Sequence, residues 1–269
     1  MARHCLAFVA SHLFANNGHS VLKGNLTMII YNGPSLLDGT PIIAIAIRKS
    51  GNAKTGDMVQ TYILCRDIDP RDANKTGADY SICGDCRHRG TPTNDPNRKL
   101  AENRSCYVNI AQGVLIVWKS YQRGIYDTAT GHDAIAKLGA NRMVRLGTYG
   151  DPSAVPSYIW ESLLSDADGW TGYSHQSGVT GADYRPDMVM RSADTEQEAR
   201  QAWRNGERTF RVVANVSDII RGKEILCPAS KEAGQRVQCQ ACKLCAGNSI
   251  AAKSIAIPAH GAGKNNFAA

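Results

Sequence analysis

The stretch Met188-Val-Met-Arg-Ser-Ala-Asp-Thr-Glu-Gln-Glu-Ala-Arg-Gln-Ala-Trp203, followed by Thr209-Phe-Arg-Val-Val213, reads as strand, helix, strand. The first residues are apolar and give way to the polar run Arg191-Ser-Ala-Asp194. Asp194 stands where a helix N-cap belongs, and the residues from Thr195 to Trp203 are rich in Glu, Gln and Ala, which favour helix. Thr209 to Val213 is β-branched and aromatic. Two strands joined through a helix in this way run parallel.

The same alternation extends in both directions. Pro41-Ile-Ile-Ala-Ile-Ala-Ile47 reads as a buried strand, and Thr61-Tyr-Ile-Leu64 as a second. Met143-Val-Arg-Leu-Gly147 is a strand ending in Thr148-Tyr-Gly-Asp-Pro. Residues 156–164 look helical, with Trp160, Leu163 and Leu164 on one side. Trp170-Thr-Gly-Tyr-Ser-His175, Glu224-Ile-Leu226 and Ser254-Ile-Ala-Ile257 complete the strands. Gly113-Val-Leu-Ile-Val-Trp118 fits a strand or a helix start. Nearly every strand ends in polar or reactive residues. An α/β fold is expected, first as a complete or partial TIM-like barrel with irregular metal-binding segments, second as an open doubly wound sheet.

A chain of 269 residues, 43% of them hydrophobic, can bury a full core without disulfides. Residues 28–261 read as a single α/β metal-binding domain. Residues 1–27 read as a loose extension, consistent with an upstream start before Met28, although Cys5-Leu-Ala-Phe-Val-Ala has a faint signal-peptide character. Residues 262–269 read as a flexible tail. No stretch is long enough to span a membrane. The net charge of +7 is spread over a basic group from Arg87 to Arg104 and another from Arg200 to Lys223. That charge could meet nucleic acid, but no stacking aromatics interleave with it, and a solvated basic face is favoured.

Nine cysteines in a chain this long do not suggest a disulfide scaffold, because most fall into two local groups. Cys239-Gln-Ala-Cys242-Lys-Leu-Cys245, with Cys227 upstream, places four soft thiolates where one loop can wrap a centre. Such a set suits an iron–sulfur cluster, four-iron by preference, or structural zinc. Cys83-Gly-Asp-Cys86-Arg-His88 with Cys106 forms the second group. It fits zinc if His88 joins, or a cluster with one open iron if it does not. The two groups are also able to share one site. A reducing cytoplasm is the expected compartment.

Four further residues are catalytic candidates. Asp151, before Pro152, is a base or a turn cap. Ser174, His175 and Asp194 at successive strand ends could form a hydrolase triad, although no G-x-S-x-G elbow accompanies them. No P-loop, dinucleotide fingerprint or C-x-x-x-C-x-x-C run is present.

Several runs, in order, resemble a family of uncharacterised bacteriophage proteins. They include Ser35-Leu-Leu-Asp-Gly-Thr-Pro-Ile-Ile, Cys83-Gly-Asp-Cys86, Arg145-Leu-Gly-Thr-Tyr-Gly-Asp-Pro, Thr171-Gly-Tyr-Ser-His-Gln, and Cys227-Pro-Ala-Ser with the final C-x-x-C-x-x-C. The resemblance spans about Met28 to Gly261. It implies a phage origin, hence host cytoplasm, and a metal site rather than a particular reaction. Within it, residues 52–57 read as a binding loop in which Lys54 and Thr55 contact an anion, or as a tight turn. Three functions follow as expectations. The first is a phage-encoded iron–sulfur protein acting on an unknown small molecule. The second is an esterase- or amidase-like hydrolase with a structural metal. The third is a zinc-stapled nucleic-acid-binding protein.

Overall fold

The parallel unit expected around Asp194 is present, within a computed structural model that describes residues 27–49 and 52–267. The expectation for the extension concerns residues 1–26 almost entirely and lies outside the described residues. Among those described, eleven strands form two sheets. The first holds β1 (Thr27–Pro34), β2 (Pro41–Ile47), β3 (Val59–Cys65), β4 (Asp127–Thr128), β5 (Met143–Tyr149) and β6 (Gly169–Thr171), in the order β4-β1-β2-β3-β5-β6. The second holds β7 (Tyr173–Ser174), β8 (Met190–Ala193), β9 (Thr209–Val213), β10 (Glu224–Leu226) and β11 (Ser254–Pro258), in the order β10-β11-β9-β8-β7. Only the β1–β2 and β2–β3 pairs are antiparallel. The helices are α1 (Pro70–Thr76), α2 (Tyr80–Cys83), α3 (Leu115–Gln122), α4 (His132–Gly139), α5 (Ser157–Leu164), α6 (Glu196–Arg204) and α7 (Cys239–Cys242).

β2 is a central strand, and Ile42, Ile43, Ala44 and Ile45 are wholly inaccessible. Each such isoleucine contributes about 1.5–3 kcal/mol by leaving water. Its unbroken apolar run is the mark of a strand covered on both faces. Trp160 and Leu163 of α5 join the same core. A smaller cluster of Met58, Met143, Met190, Ile255 and Ile257 packs against Cys227, Cys239 and Cys245.

The segment Trp170–His175, expected as one strand, is divided between the two sheets. The reason is at Gly172. Its N–H donates to the carbonyl of Cys245 at 2.9 Å rather than to a neighbouring strand, and its own carbonyl accepts from Met190 N at 3.0 Å. The cysteine loop is thus stitched into the joint between the sheets.

β8 starts two residues later than expected. Met188 N and Val189 N both donate to the Arg185 carbonyl, in a turn, although both residues are buried. The N-cap of α6 is Thr195, whose hydroxyl accepts from Glu198 N at 3.1 Å. Asp194 lies one residue earlier, and its side chain is left for another task. Gly113–Trp118 belongs to a helical segment, a π-turn over Ile110–Val114 leading into α3. The segment after β3 contains α1, capped by Asp69 with Pro70 in its first turn. The expected tail is docked as far as Phe267: Asn266 Nδ2 donates to the Arg104 carbonyl at 3.0 Å, and Phe267 stacks on His88. Among the described residues no helix is long and apolar enough to cross a membrane.

Candidate metal-binding cavity

Residues of both sheets line one cavity of about 440 Å³, among them Tyr62, Arg145, Tyr173, Phe210 and Ile257. Both cysteine groups open onto it.

Cys227 follows β10, and its N–H donates to the Ala256 carbonyl of β11 at 2.8 Å. Cys239 and Cys242 are the ends of the one-turn helix α7, and Cys245 follows it. Lys243 adopts a left-handed conformation at φ 57° to reverse the chain between Cys242 and Cys245. Cys227, Cys239 and Cys245 are buried, and Cys242 is half-buried beside them. Burial pushes the Cys245 thiol up to about 12. Burial also raises Cys227, partly offset by the Lys54 ammonium. Arg208 fastens the far side of this loop, donating to the carbonyls of Leu244, Gly247, Ala252 and Lys253.

Residues 52–57 form a turn closed by Gly56 N to Asn52 O at 2.9 Å. The turn braces α7. The carbonyls of Lys54 and Thr55 accept from Cys239 N and Gln240 N, each at 3.1 Å, and Gln238 Nε2 donates to Ala53 O at 2.9 Å. Gly56 has φ +74°, and a Cβ there would meet Gln240 at 2.6 Å. Thr55 Oγ1 is occupied by Gln60 Nε2 at 3.0 Å. Lys54 reaches the cavity, with its Nζ 3.3 Å from His260 Nε2. Burial lowers its pKa, and nearby Cys227 works against that.

Arg145 is the cavity residue that sequence reading did not single out. It is buried, donates to Tyr107 Oη at 2.7 Å and lies 5.5 Å from the Tyr173 ring centroid. Its signal was an arginine inside the otherwise apolar run Met143–Leu146. Among the described residues no carboxylate pairs with it, and a buried guanidinium so placed favours an anion in its surroundings.

The second cysteine group is assembled by a tight turn, in which Cys86 N donates to Cys83 O at 3.2 Å. Gly84, at φ +50°, makes room for the Gln176 side chain, which a Cβ would meet at 2.0 Å. Cys106 is drawn in because the His88 carbonyl accepts its N–H at 3.0 Å. Burial raises Cys83 well above the ordinary thiol value, and Cys86 and Cys106 add to the shift. The His88 ring does not turn toward these thiols. Its Nδ1 meets Ser105 Oγ at 2.8 Å, and its Nε2 lies 3.4 Å from Asp194 Oδ1.

His175 Nε2 lies 3.3 Å from the same Asp194 oxygen. Burial disfavours the His175 imidazolium, yet the Cys86 thiol and Asp194 outweigh it and hold the pKa well above the ordinary value. Burial likewise opposes the Asp194 carboxylate, and His175 and His88 overcome it, holding the group well below the usual range. His88, His175 and Asp194 form the group whose ligand atoms all lie within 4.8 Å of one another among the described residues.

The structure does not bring Ser174 to this pair. Ser174 is fully buried, and its hydroxyl meets Ser153 Oγ at 2.9 Å and Gln176 N at 3.0 Å. His175 lies just past the end of β7, where its backbone N–H turns to Asp151 and the chain leaves the strand. Asp151 is the cap that the Asp-Pro pair allowed. Its Oδ1 accepts from Ser153 N at 3.0 Å, and its Oδ2 from His175 N at 2.8 Å and Gln176 Nε2 at 3.0 Å.

Several of the expected surface cations are committed inside the fold. Arg89 pairs with Asp79, Arg104 donates to Cys106 O and Val108 O, and Arg211 forms a buried fork with Glu224. Comparison with family models, with curated proteins and with solved structures gives no match to this chain.

Proposed function

We propose that this chain is an iron–sulfur protein in which Cys227, Cys239, Cys242 and Cys245 hold a cluster, four-iron by preference, at one side of a substrate cavity. The observation that carries this reading is the gathering of four thiols from two loops onto one cavity wall. One feature favours a cluster over a zinc staple. The cations Lys54 and Arg145 line the same cavity as the thiols, and they suit the net negative charge of a thiolate-ligated cluster or an anionic substrate beside it.

Bound, the cluster would supply electron transfer, since four cysteines leave none of its four irons open to a substrate. This chain's own residues would do the rest. Arg145 and Lys54 would hold an anionic small molecule, and Phe210, Tyr173 and Ile257 would limit water around it. A partial barrel, with the functional groups gathered at strand ends, belongs to the same reading, because residues of both sheets line this cavity. A phage origin and a reducing cytoplasmic compartment belong to the same proposal, on the resemblance of the sequence runs and on the many free thiols.

The test is anaerobic reconstitution with iron and sulfide. The reading expects a brown protein whose visible absorbance is lost in Cys239→Ala/Cys242→Ala. An unchanged spectrum in that variant would move the cluster to other residues. Hydrolysis through Ser174 and binding of nucleic acid through a basic face draw less support, because Ser174 is buried away from His175 and key arginines are internally paired.

A further inference from the structure

We propose that His88, His175 and Asp194 form a second, mononuclear site that takes one divalent first-row transition-metal ion. The inference does not depend on the cluster. It rests on how three side chains from distant segments converge. The two imidazole Nε2 atoms lie 3.4 Å and 3.3 Å from the same oxygen, Asp194 Oδ1.

Those separations are long for charge-assisted hydrogen bonds, which run about 2.7–2.9 Å. They are the separations expected of ligands sharing an ion. Two donors each about 2.1 Å from a metal, at a tetrahedral angle, stand about 3.4 Å apart. Two imidazole nitrogens and one carboxylate oxygen suit a borderline ion such as Fe(II), Co(II) or Zn(II), and leave coordination positions open.

The surroundings hold each ligand in place. Ser105 Oγ sits 2.8 Å from His88 Nδ1 and can accept its proton, which leaves Nε2 as the donor atom toward the site. Phe267 stacks on the His88 ring at 6.0 Å between centroids. His175 is fixed through its backbone N–H to Asp151 Oδ2 at 2.8 Å. Asp194 is fixed by its own N–H to Glu198 Oε2 at 2.7 Å, because Thr195 rather than Asp194 caps α6. The three side chains are 11%, 18% and 15% exposed, which shelters an ion while leaving it reachable. All three line the cavity that the cysteine groups also face. An ion held by these three side chains would border that cavity.

The test uses the full chain, dialysed anaerobically against Co(II) and analysed for cobalt per chain, with X-ray absorption to identify the ligating atoms. The wild type should hold a cobalt with nitrogen and oxygen ligands that Asp194→Asn does not hold. Ser105→Ala, which removes only the orienting hydroxyl, should bind that cobalt about 10–100-fold more weakly. It decides the matter if Asp194→Asn fails to fold. Equal cobalt content and affinity in wild type and both variants would overturn the site. So would a wild type in which every bound cobalt has sulfur neighbours alone, since the thiols would then be the only ligands.

Discussion

The carbonyl of Lys54 accepts the backbone N–H of Cys239 at 3.1 Å. This bond ties a turn just before β3 to the first cysteine of the C-x-x-C-x-x-C run. It makes the shape of one cavity wall depend on a segment far away in sequence.

Gly56 is the weakest point of that brace. Gly56→Val forces a β-branched residue into φ +74° and drives its Cβ toward Gln240. The left-handed conformation alone costs about 1–2 kcal/mol. Urea unfolding should register that loss, and the iron retained after reconstitution and gel filtration should fall with it. Retention at the wild-type level would mean that α7 does not need the turn.

Asp151 acts as a clamp. Its carboxylate takes three N–H donors, joining the end of β5 to the loop after β7. Asp151→Ala should lower unfolding free energy by about 2–3 kcal/mol, because buried donors lose a charged partner. Asp151→Asn, which keeps the shape and one acceptor, should lose less. The pair of urea curves measures the difference.

Ser174→Ala separates the cluster reading from the hydrolase reading. The hydroxyl serves Ser153 and Gln176, so its removal should cost about 1 kcal/mol of stability. Turnover on a panel of chromogenic esters should not change. A loss of turnover without a loss of stability would restore Ser174 as a nucleophile.

Cys65 gives the protein a pH dependence of its own. Burial pushes this thiol up to about 12, from 9.0 in the open. The folded state therefore holds its proton more tightly than the unfolded state. The resulting stability is complete below pH about 9 and declines as pH rises from there toward about 12. The slope from one such thiol is about 1.4 kcal/mol per pH unit. Cys65→Ala should show a shallower fall than wild type across this window in thermal melts of metal-free protein. Parallel curves would contradict the assignment.

Local signals in the sequence carried much of the fold. β2, β9 and β10 have the bounds that their apolar runs suggest. The cysteine turn was legible for the same reason, since Cys239, Cys242 and Cys245 need only their own spacing to converge. Long-range partners were not legible. Nothing near Gly172 announces that its N–H goes to Cys245 and divides a strand between two sheets. Met188 and Val189 look like strand because burial in a turn leaves the same apolar signature as burial in a sheet. His88, His175 and Asp194 come from three separate segments, so spacing could pair the last two at strand ends but not bring in the first.

The most direct measurement is iron and acid-labile sulfide per chain in protein purified without oxygen. A cluster held by Cys227, Cys239, Cys242 and Cys245 requires iron and sulfide in matching amounts, both lost in Cys239→Ala/Cys242→Ala. Colourless protein with stoichiometric zinc and no sulfide would contradict it.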